Sequence, residues 1–161
     1  MALGDMFFKL DGIEGESQDD RHRGEIQIDT YTLAASNAGS AGANLGAGIG
    51  KAEVQDITFT KHVDKSSPNL FINCCSGKPI PTAVLTVRKA GEKPQEYLTI
   101  TLTEVFVSSF THTGHEGGGL PVESVSLNFS KIKFEYKTQI ADGTLGAAIA
   151  KTYDIKANKV S

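Results

Sequence analysis

The chain has no tryptophan and only two cysteines, and none of its 161 residues belongs to a long apolar run. Each absence excludes something. A membrane-spanning helix needs roughly 20 predominantly apolar residues, and no stretch approaches that length, so membrane insertion is not expected. The N-terminus, MALGDMFFKLDG, has neither a basic leader nor a long apolar segment, so no cleaved secretory signal is expected. Cys74 and Cys75 are adjacent. Neighbouring cysteines seldom bridge each other, and two are too few for a disulfide scaffold. A chain of this kind is expected to fold in a reducing cytoplasm. An excess of positive charge is missing too: the formal net charge is −3. Nucleic acid is therefore not the expected partner, because phosphate binding needs a basic face.

What the chain does have is glycine, 17 residues of it, and 39% hydrophobic residues. Its length predicts one domain spanning residues 1–161. Glycine-rich connections between alternating apolar and polar runs predict an all-β protein. MFFKL (6–10) is a short strand ending in the turn pair Asp11-Gly12. EIQIDTYTLA (25–34) and KAEVQDITFTKHV (51–63) alternate as strands, the second with a phase slip between Val54 and Ile57 that predicts a bulge. TAVLTVRKA (82–90) and QEYLTITLTEVFVSSF (95–110) form a hairpin across GEKP. In its second arm Val105 and Val107 break the phase set by Leu98, Ile100 and Leu102. VESVSLNFSKIKFEY (122–136) is the strongest strand. Val125, Leu127 and Phe129 share one face, and the pattern slips by one and resumes at Ile132, Phe134 and Tyr136. Such a slip predicts a bulge where a long strand turns a barrel corner and passes from one sheet to another. AAIAKTYDIKAN (147–158) follows the turn at Asp142-Gly143.

One helix is predicted, at about 67–76. Ser67 suits the N-cap, Pro68 the first turn and Gly77 a left-handed C-cap. Leu70 with Cys74, and Phe71 with Cys75, lie four apart and are expected to pack on the sheet. About seven or eight strands, the helix and a long extended loop at about 35–50 therefore predict a β-barrel of two packed, mostly antiparallel sheets.

Signs of catalysis or cofactor binding are weak. HTGHE (112–116) offers His112 and His115 to a metal, but no further ligand is signalled, so a solvated loop is expected there. GAGIGKA (46–52) fails the phosphate-loop pattern, with Leu45 where the first glycine belongs and Ala52 where Ser or Thr belongs. DGIEGESQDDRH (11–22) lacks the regular spacing of a calcium loop and reads as a solvated acidic loop. Cys74 and Cys75 read as buried structural thiols. No G-x-S-x-G elbow occurs. The chain is not expected to be an enzyme or to carry a cofactor. Loops above about a dozen residues usually either work or are disordered. The charge-free 35–50 loop is thus the candidate for contacting another subunit, through Ser40, Gly42, Asn44, Leu45, Gly46, Gly48 and Ile49. Ser124, Ser126, Asn128 and Ser130, the wet face of the long strand, are the candidate lumen or interface lining.

KLDGIEGESQDDRH, FTKHVDKSSPNLFINCCSGKPI, RKAGEKPQEYLTITLTEVFVSSF, ESVSLNFSKIKFEY and YDIKANK resemble, in order, the haemolysin-coregulated protein (Hcp) family of bacterial type VI secretion tube proteins. The resemblance runs from residue 9 almost to the C-terminus. It implies a two-sheet barrel with one flanking helix, assembled into six-membered rings that stack into a tube. A contractile sheath would propel the tube and a spike protein would sit at its tip. It also implies that small effector proteins are held inside the ring, and that the tube is made in the cytoplasm and secreted. The second reading is a ring-shaped export chaperone for one effector. The sequence departs from the resemblance at TYTLA (30–34) and at Tyr153, where relatives often carry tryptophan.

Overall fold

The computed structural model describes residues 4–38, 52–91 and 93–161. In chain order the strands are β1 (Gly4–Leu10), β2 (Ile26–Gln27), β3 (Thr30–Thr32), β4 (Ala35–Asn37), β5 (Ala52–Val54) and β6 (Ile57–His62). Helix α1 (Ser67–Ser76) follows. Then come β7 (Ile80–Lys89), β8 (Gln95–Thr113), β9 (Val122–Asn128), β10 (Lys131–Gln139), β11 (Leu145–Asp154) and β12 (Lys159–Val160). The expected strands are present, but several are divided. Residues 25–34 break into β2 and β3, and β12 folds back after a turn to pair antiparallel with β11. Between Val54 and Ile57 the chain does not bulge: β5 leaves to pair with β4, and β6 starts a different ladder.

Two antiparallel sheets share one long strand. The first half of β8 pairs with β7 and β10 in a sheet ordered β12-β11-β10-β8-β7-β1-β2. Its second half pairs with β9 in a sheet that continues to β6 and β3. β9 and β10 are one strand interrupted at Phe129 and Ser130, and they change sheet at the same place as β8. There the Ser130 N–H donates to the Thr103 carbonyl at 3.0 Å, the Ser130 hydroxyl donates to that oxygen at 3.2 Å, and the Ile155 N–H reaches the Ser130 carbonyl at 2.8 Å. Glu104 adopts φ 53, which inserts the phase slip between Leu102 and Val105 and turns β8 through the corner. The expected slip at Ser130 is thus a sheet switch, and a second strand switches beside it.

No ladder among the described residues joins β2 to β3, so the barrel is not fully closed by strand pairing. Ile28 and Asp29 span the gap instead: the Ile28 N–H donates to Met6 O at 3.1 Å and the Asp29 N–H to Thr60 O at 2.7 Å. The core between the sheets holds Phe8, Leu10, Ile26, Ile57, Phe59, Leu85, Ile100, Leu102, Val125 and Leu127, all buried. α1 lies over one end of it and inserts Leu70. Gly77 ends the helix at φ 67, as expected, and donates to Asn73 O. The helix start differs from expectation. Ser66 stands at the cap without a side-chain cap bond, and the Ser67 hydroxyl turns toward a buried carboxylate. Phe71 and Cys75 point away from the core and are exposed; only the Leu70 and Cys74 side packs.

A left-handed φ disfavours β-branched side chains by about 1–2 kcal/mol and glycine hardly at all. Glu104 already bears much of that cost, so Glu104→Val is expected to lower stability by less than about 1–2 kcal/mol, and Glu104→Gly to stay within about 0.5 kcal/mol of the parent. Urea unfolding at one fixed protein concentration measures both, and an equal loss for the two variants would contradict the corner argument.

Candidate functional site

The outward face of the β3-β6-β9-β8 sheet is a grid of hydroxyls. Register places Thr32, Thr58, Ser126 and Ser109 in one row, and Thr30, Thr60, Ser124 and Thr111 in the next. Thr30 and Thr60 hydroxyls lie 2.6 Å apart, and those of Thr58 and Ser126 2.8 Å apart. Alternation produces this face: Phe59, Val125 and Leu127 turn inward, so their neighbours must turn out. Of the four sequence candidates, Ser124 and Ser126 sit in the grid. Asn128 and Ser130 do not present free polar groups in the same way. The Asn128 amide donates to Asp56 at 2.8 Å, and Ser130 stitches the corner. The loop candidates Ser40, Gly42, Asn44, Leu45, Gly46, Gly48 and Ile49 lie outside the described residues.

A second surface is apolar. The β10-β11-β12 wing continues the inward face of its sheet past the end of the core. Leu98 and Ile100 are buried, while their cross-strand neighbours Tyr136 and Phe134 are 43% and 45% exposed, and Ile149, opposite Tyr136, is 58% exposed. A groove of about 370 Å³ runs beside this wing, lined by Leu33, Val54, Phe134, Tyr153 and Val160 among others. Sequence periodicity places Phe134 and Tyr136 on the apolar face of the strand. They do share the face of the core, but the opposite sheet ends before it can cover them.

Behind the hydroxyl grid lies a buried ionic cluster. Lys61 and Glu123 face each other across β6 and β9, with Nζ 2.6 Å from Oε1 and neither side chain exposed. The Ser67 hydroxyl donates to the same carboxylate oxygen at 2.6 Å, and His112 Nδ1 lies 2.6 Å from the other. Lys61 also donates to Ser67 Oγ and to the His62 carbonyl, both at 3.1 Å. Burial pushes the Glu123 carboxyl up, but hydrogen bonds from Lys61, Ser67 and His112, with the charge of Lys61, outweigh it and hold the group below its ordinary value. His112 is therefore a strand residue of β8 tied to a buried carboxylate, not part of a solvated loop. No group of three potential metal ligands occurs among the described residues.

The 11–22 segment is likewise more than a solvated acidic loop. It folds across the outer side of β1 and buries Phe7. His22 stacks on the Phe7 ring at 4.5 Å, with its two nitrogens on Glu25 and Glu96 at 2.9 and 2.6 Å. Asp19 pairs with buried Arg88, whose hydrogen bonds hold the Asp19 carboxyl below the usual range.

A rigid double sheet with one hydroxyl-covered face, one bare apolar wing and its buried charges spent on structure defines a structural protein of the wall-building kind. Residues 7–136 match the family model described as "Type VI secretion system effector, Hcp". The chain is 44% identical to Protein hcp1 of Pseudomonas aeruginosa over 156 residues, 96% of each chain. Among solved structures, Hcp1 from Salmonella typhimurium superposes with TM-score 0.81 at 37% identity, covering 99% of this chain and 100% of that one. A structure titled as a type six secretion system protein reaches TM-score 0.92 at 28% identity, covering 98% and 99%. The chain belongs to the Hcp family, the tube-protein family of type VI secretion. No helix among the described residues is long and apolar enough to cross a membrane.

Removing one partner of a buried ion pair strands the other, which typically costs about 3–5 kcal/mol. Glu123→Ala leaves Lys61 only its second carboxylate, Asp64 at 3.1 Å, so it is expected to destabilise by up to that amount, and Lys61→Met combined with Glu123→Leu to recover most of it; urea unfolding of the three proteins tests this. Acid has a defined effect as well. Glu123 and Asp19 both have carboxyls lowered in the folded protein, so each adds stability above its unfolded pKa, about 4.3 for Glu and 3.9 for Asp. That stability is lost as pH falls through the folded values. The unfolding midpoint should hold level from pH 7 to about 5 and decline below about 4, with a shallower decline in Asp19→Asn.

Proposed function

We propose that this chain is a tube subunit that closes into six-membered rings, which stack into the conduit of a type VI secretion system. The observation that carries the reading is the apolar wing, Phe134, Tyr136 and Ile149, an extension of the core face that no described residue covers. In a ring, each wing meets a different surface of the next copy, a head-to-tail contact closed by rotation. A specific contact of this kind buries on the order of 1,200–2,000 Å² in total. Covering two half-exposed aromatics and an isoleucine supplies an apolar centre for it. The barrel, read as one domain, is the rigid wall.

In this reading the hydroxyl grid with Ser124 and Ser126 faces the lumen. Small hydroxyls hold water and present no continuous apolar patch on which cargo could stick. The same lumen would accommodate small effector proteins. The spike at the tip and the contractile sheath outside are the further partners, and the protein is exported after assembly in the cytoplasm. No catalytic step is assigned. The 35–50 segment joins one ring to the next. Because ordering a loop costs about 1–2 kcal/mol per residue, stacking is weaker than ring closure.

Ile149→Glu and Phe134→Glu place a charge on the wing without touching the core, so each is expected to keep the fold and lose the ring. Light scattering with circular dichroism measures both properties. Rings that persist in both variants would move the ring contact elsewhere. Electron microscopy of the parent protein should show rings with an open centre, and deletion of residues 41–49 should leave rings but abolish tubes and secretion. Monomers after that deletion would assign the loop to the ring contact instead.

A further inference from the structure

We propose that the cleft between the end of β1, the 13–25 loop and the first turn of α1 binds an acidic stretch of a partner polypeptide. This goes beyond the tube reading and does not depend on it. The cleft encloses about 780 Å³, and its walls carry four cations: Lys9, Arg21, Arg23 and Lys65. Lys65 is engaged by Glu14 at 3.1 Å. The other three make no ion pair with any described residue. Two of the acids on the same walls are already bound, Glu14 by Lys65 and Glu25 by His22. On a chain of net charge −3, the cleft lining sets these four cations against three acids, Asp11, Glu14 and Glu25, so it is net positive.

Their placement is held by the fold. Lys9 projects from β1, and Arg21 and Arg23 flank His22. That histidine is 7% exposed, stacked on Phe7 and pinned between Glu25 and Glu96. With the middle residue of Arg-His-Arg locked inward, the two guanidinium groups leave the surface from a fixed point. Asn69 in the first turn of α1 also lines the cleft, and the helix start behind it is faced by the Asp64 and Glu123 carboxylates.

The walls select among anions. Asp11, Glu14 and Glu25 also line the cleft and disfavour a dense polyanion such as nucleic acid more than a sparsely charged chain. A polypeptide offers carboxylates to the arginine forks, which pair with them bidentately, and backbone N–H groups to the wall carboxylates. An open cleft of this size also suits an extended chain better than a small inorganic anion.

The test uses the full-length protein in whatever assembly it forms. A short fluorescein-labelled peptide alternating Glu with Gly is titrated at low and high salt and followed by anisotropy. Binding that weakens with salt is expected, with a loss of about tenfold or more in Arg21→Glu/Arg23→Glu. Lys78→Glu, outside the cleft, should bind as the parent does. If the double variant fails to fold, Lys9→Glu carries the same expectation. Unchanged light scattering shows that assembly is intact, so a lost site is distinguished from a lost ring. No peptide binding, equal binding by parent and variant, or tighter binding of an oligonucleotide of the same charge would overturn the proposal.

Discussion

The corner at Thr103, Glu104 and Ser130 is the constraint on which the architecture rests. A 19-residue strand, β8, cannot belong to two packed sheets unless it turns, and a turn inside a ladder leaves backbone groups unpaired. Here Ser130 supplies both a backbone and a side-chain donor to the Thr103 carbonyl, and Ile155 closes the remaining carbonyl. Lys156 then reaches Glu104 at 2.5 Å on the surface. Because β8 and the β9-β10 strand turn together, one set of strands makes both walls. The phase slip at Glu104 keeps Leu98, Ile100 and Leu102 on the core before the corner and Val105 and Val107 on it afterwards. Without the slip, half of the strand would turn its apolar residues to water.

The buried Lys61–Glu123 pair settles what the corner leaves open. Hydrophobic alternation fixes which face of β6 and β9 is inward, but a shift by two residues would preserve that face. Only one register sets a fully buried ammonium opposite a fully buried carboxylate, with Ser67 and His112 completing the bonds. A buried pair contributes little net stability against apolar residues of the same size. Its effect is to make neighbouring registers much worse, because each would desolvate a charge without its partner. The same carboxylate draws in the first residue of α1, so the helix is docked by the group that sets the sheet register.

The sequence carried the long strands, the helix and the phase slips at Val105 and Ser130, because those depend on local periodicity and on turn residues such as Gly77 and Gly143, but the slip between Val54 and Ile57 is a change of partner and not a bulge. It did not carry the fate of Phe134 and Tyr136. Periodicity states which side a residue faces, not how far the opposing sheet extends, and that distance is set by the lengths of β3 and β6, far away in the chain. It also missed the cluster around Glu123. Lys61, Ser67, His112 and Glu123 are spread over more than sixty positions and look like ordinary surface residues until register brings them together. The one signal available was parity: Glu123 falls in phase with Val125 and Leu127, and Lys61 with Ile57 and Phe59. A charged residue at an inward position calls for a buried partner of opposite sign. The 11–22 loop is opaque for a similar reason, since its carboxylates outnumber its apolar residues while Ile13, Ser17 and His22 turn inward.

The division of surfaces follows from the same geometry. A sheet of alternating residues has two faces, and only one can be core. In the β3-β6-β9-β8 sheet the core consumes the whole inward face, so the outward face is free to be small, neutral and hydrated. In the other sheet, β10 and β11 run past the end of that core, and no described residue covers their apolar inward face. Leaving aromatic area in water is unfavourable by about 25 cal/mol per Å². Neutral hydroxyls impose no such demand, and lacking net charge they neither attract nor repel a protein passing close to them. In the proposed ring, a wall that joins its copies yet lets cargo slide needs adhesion on the wing and indifference on the grid. In that reading, exchanging the two surfaces would keep the core and remove the open conduit.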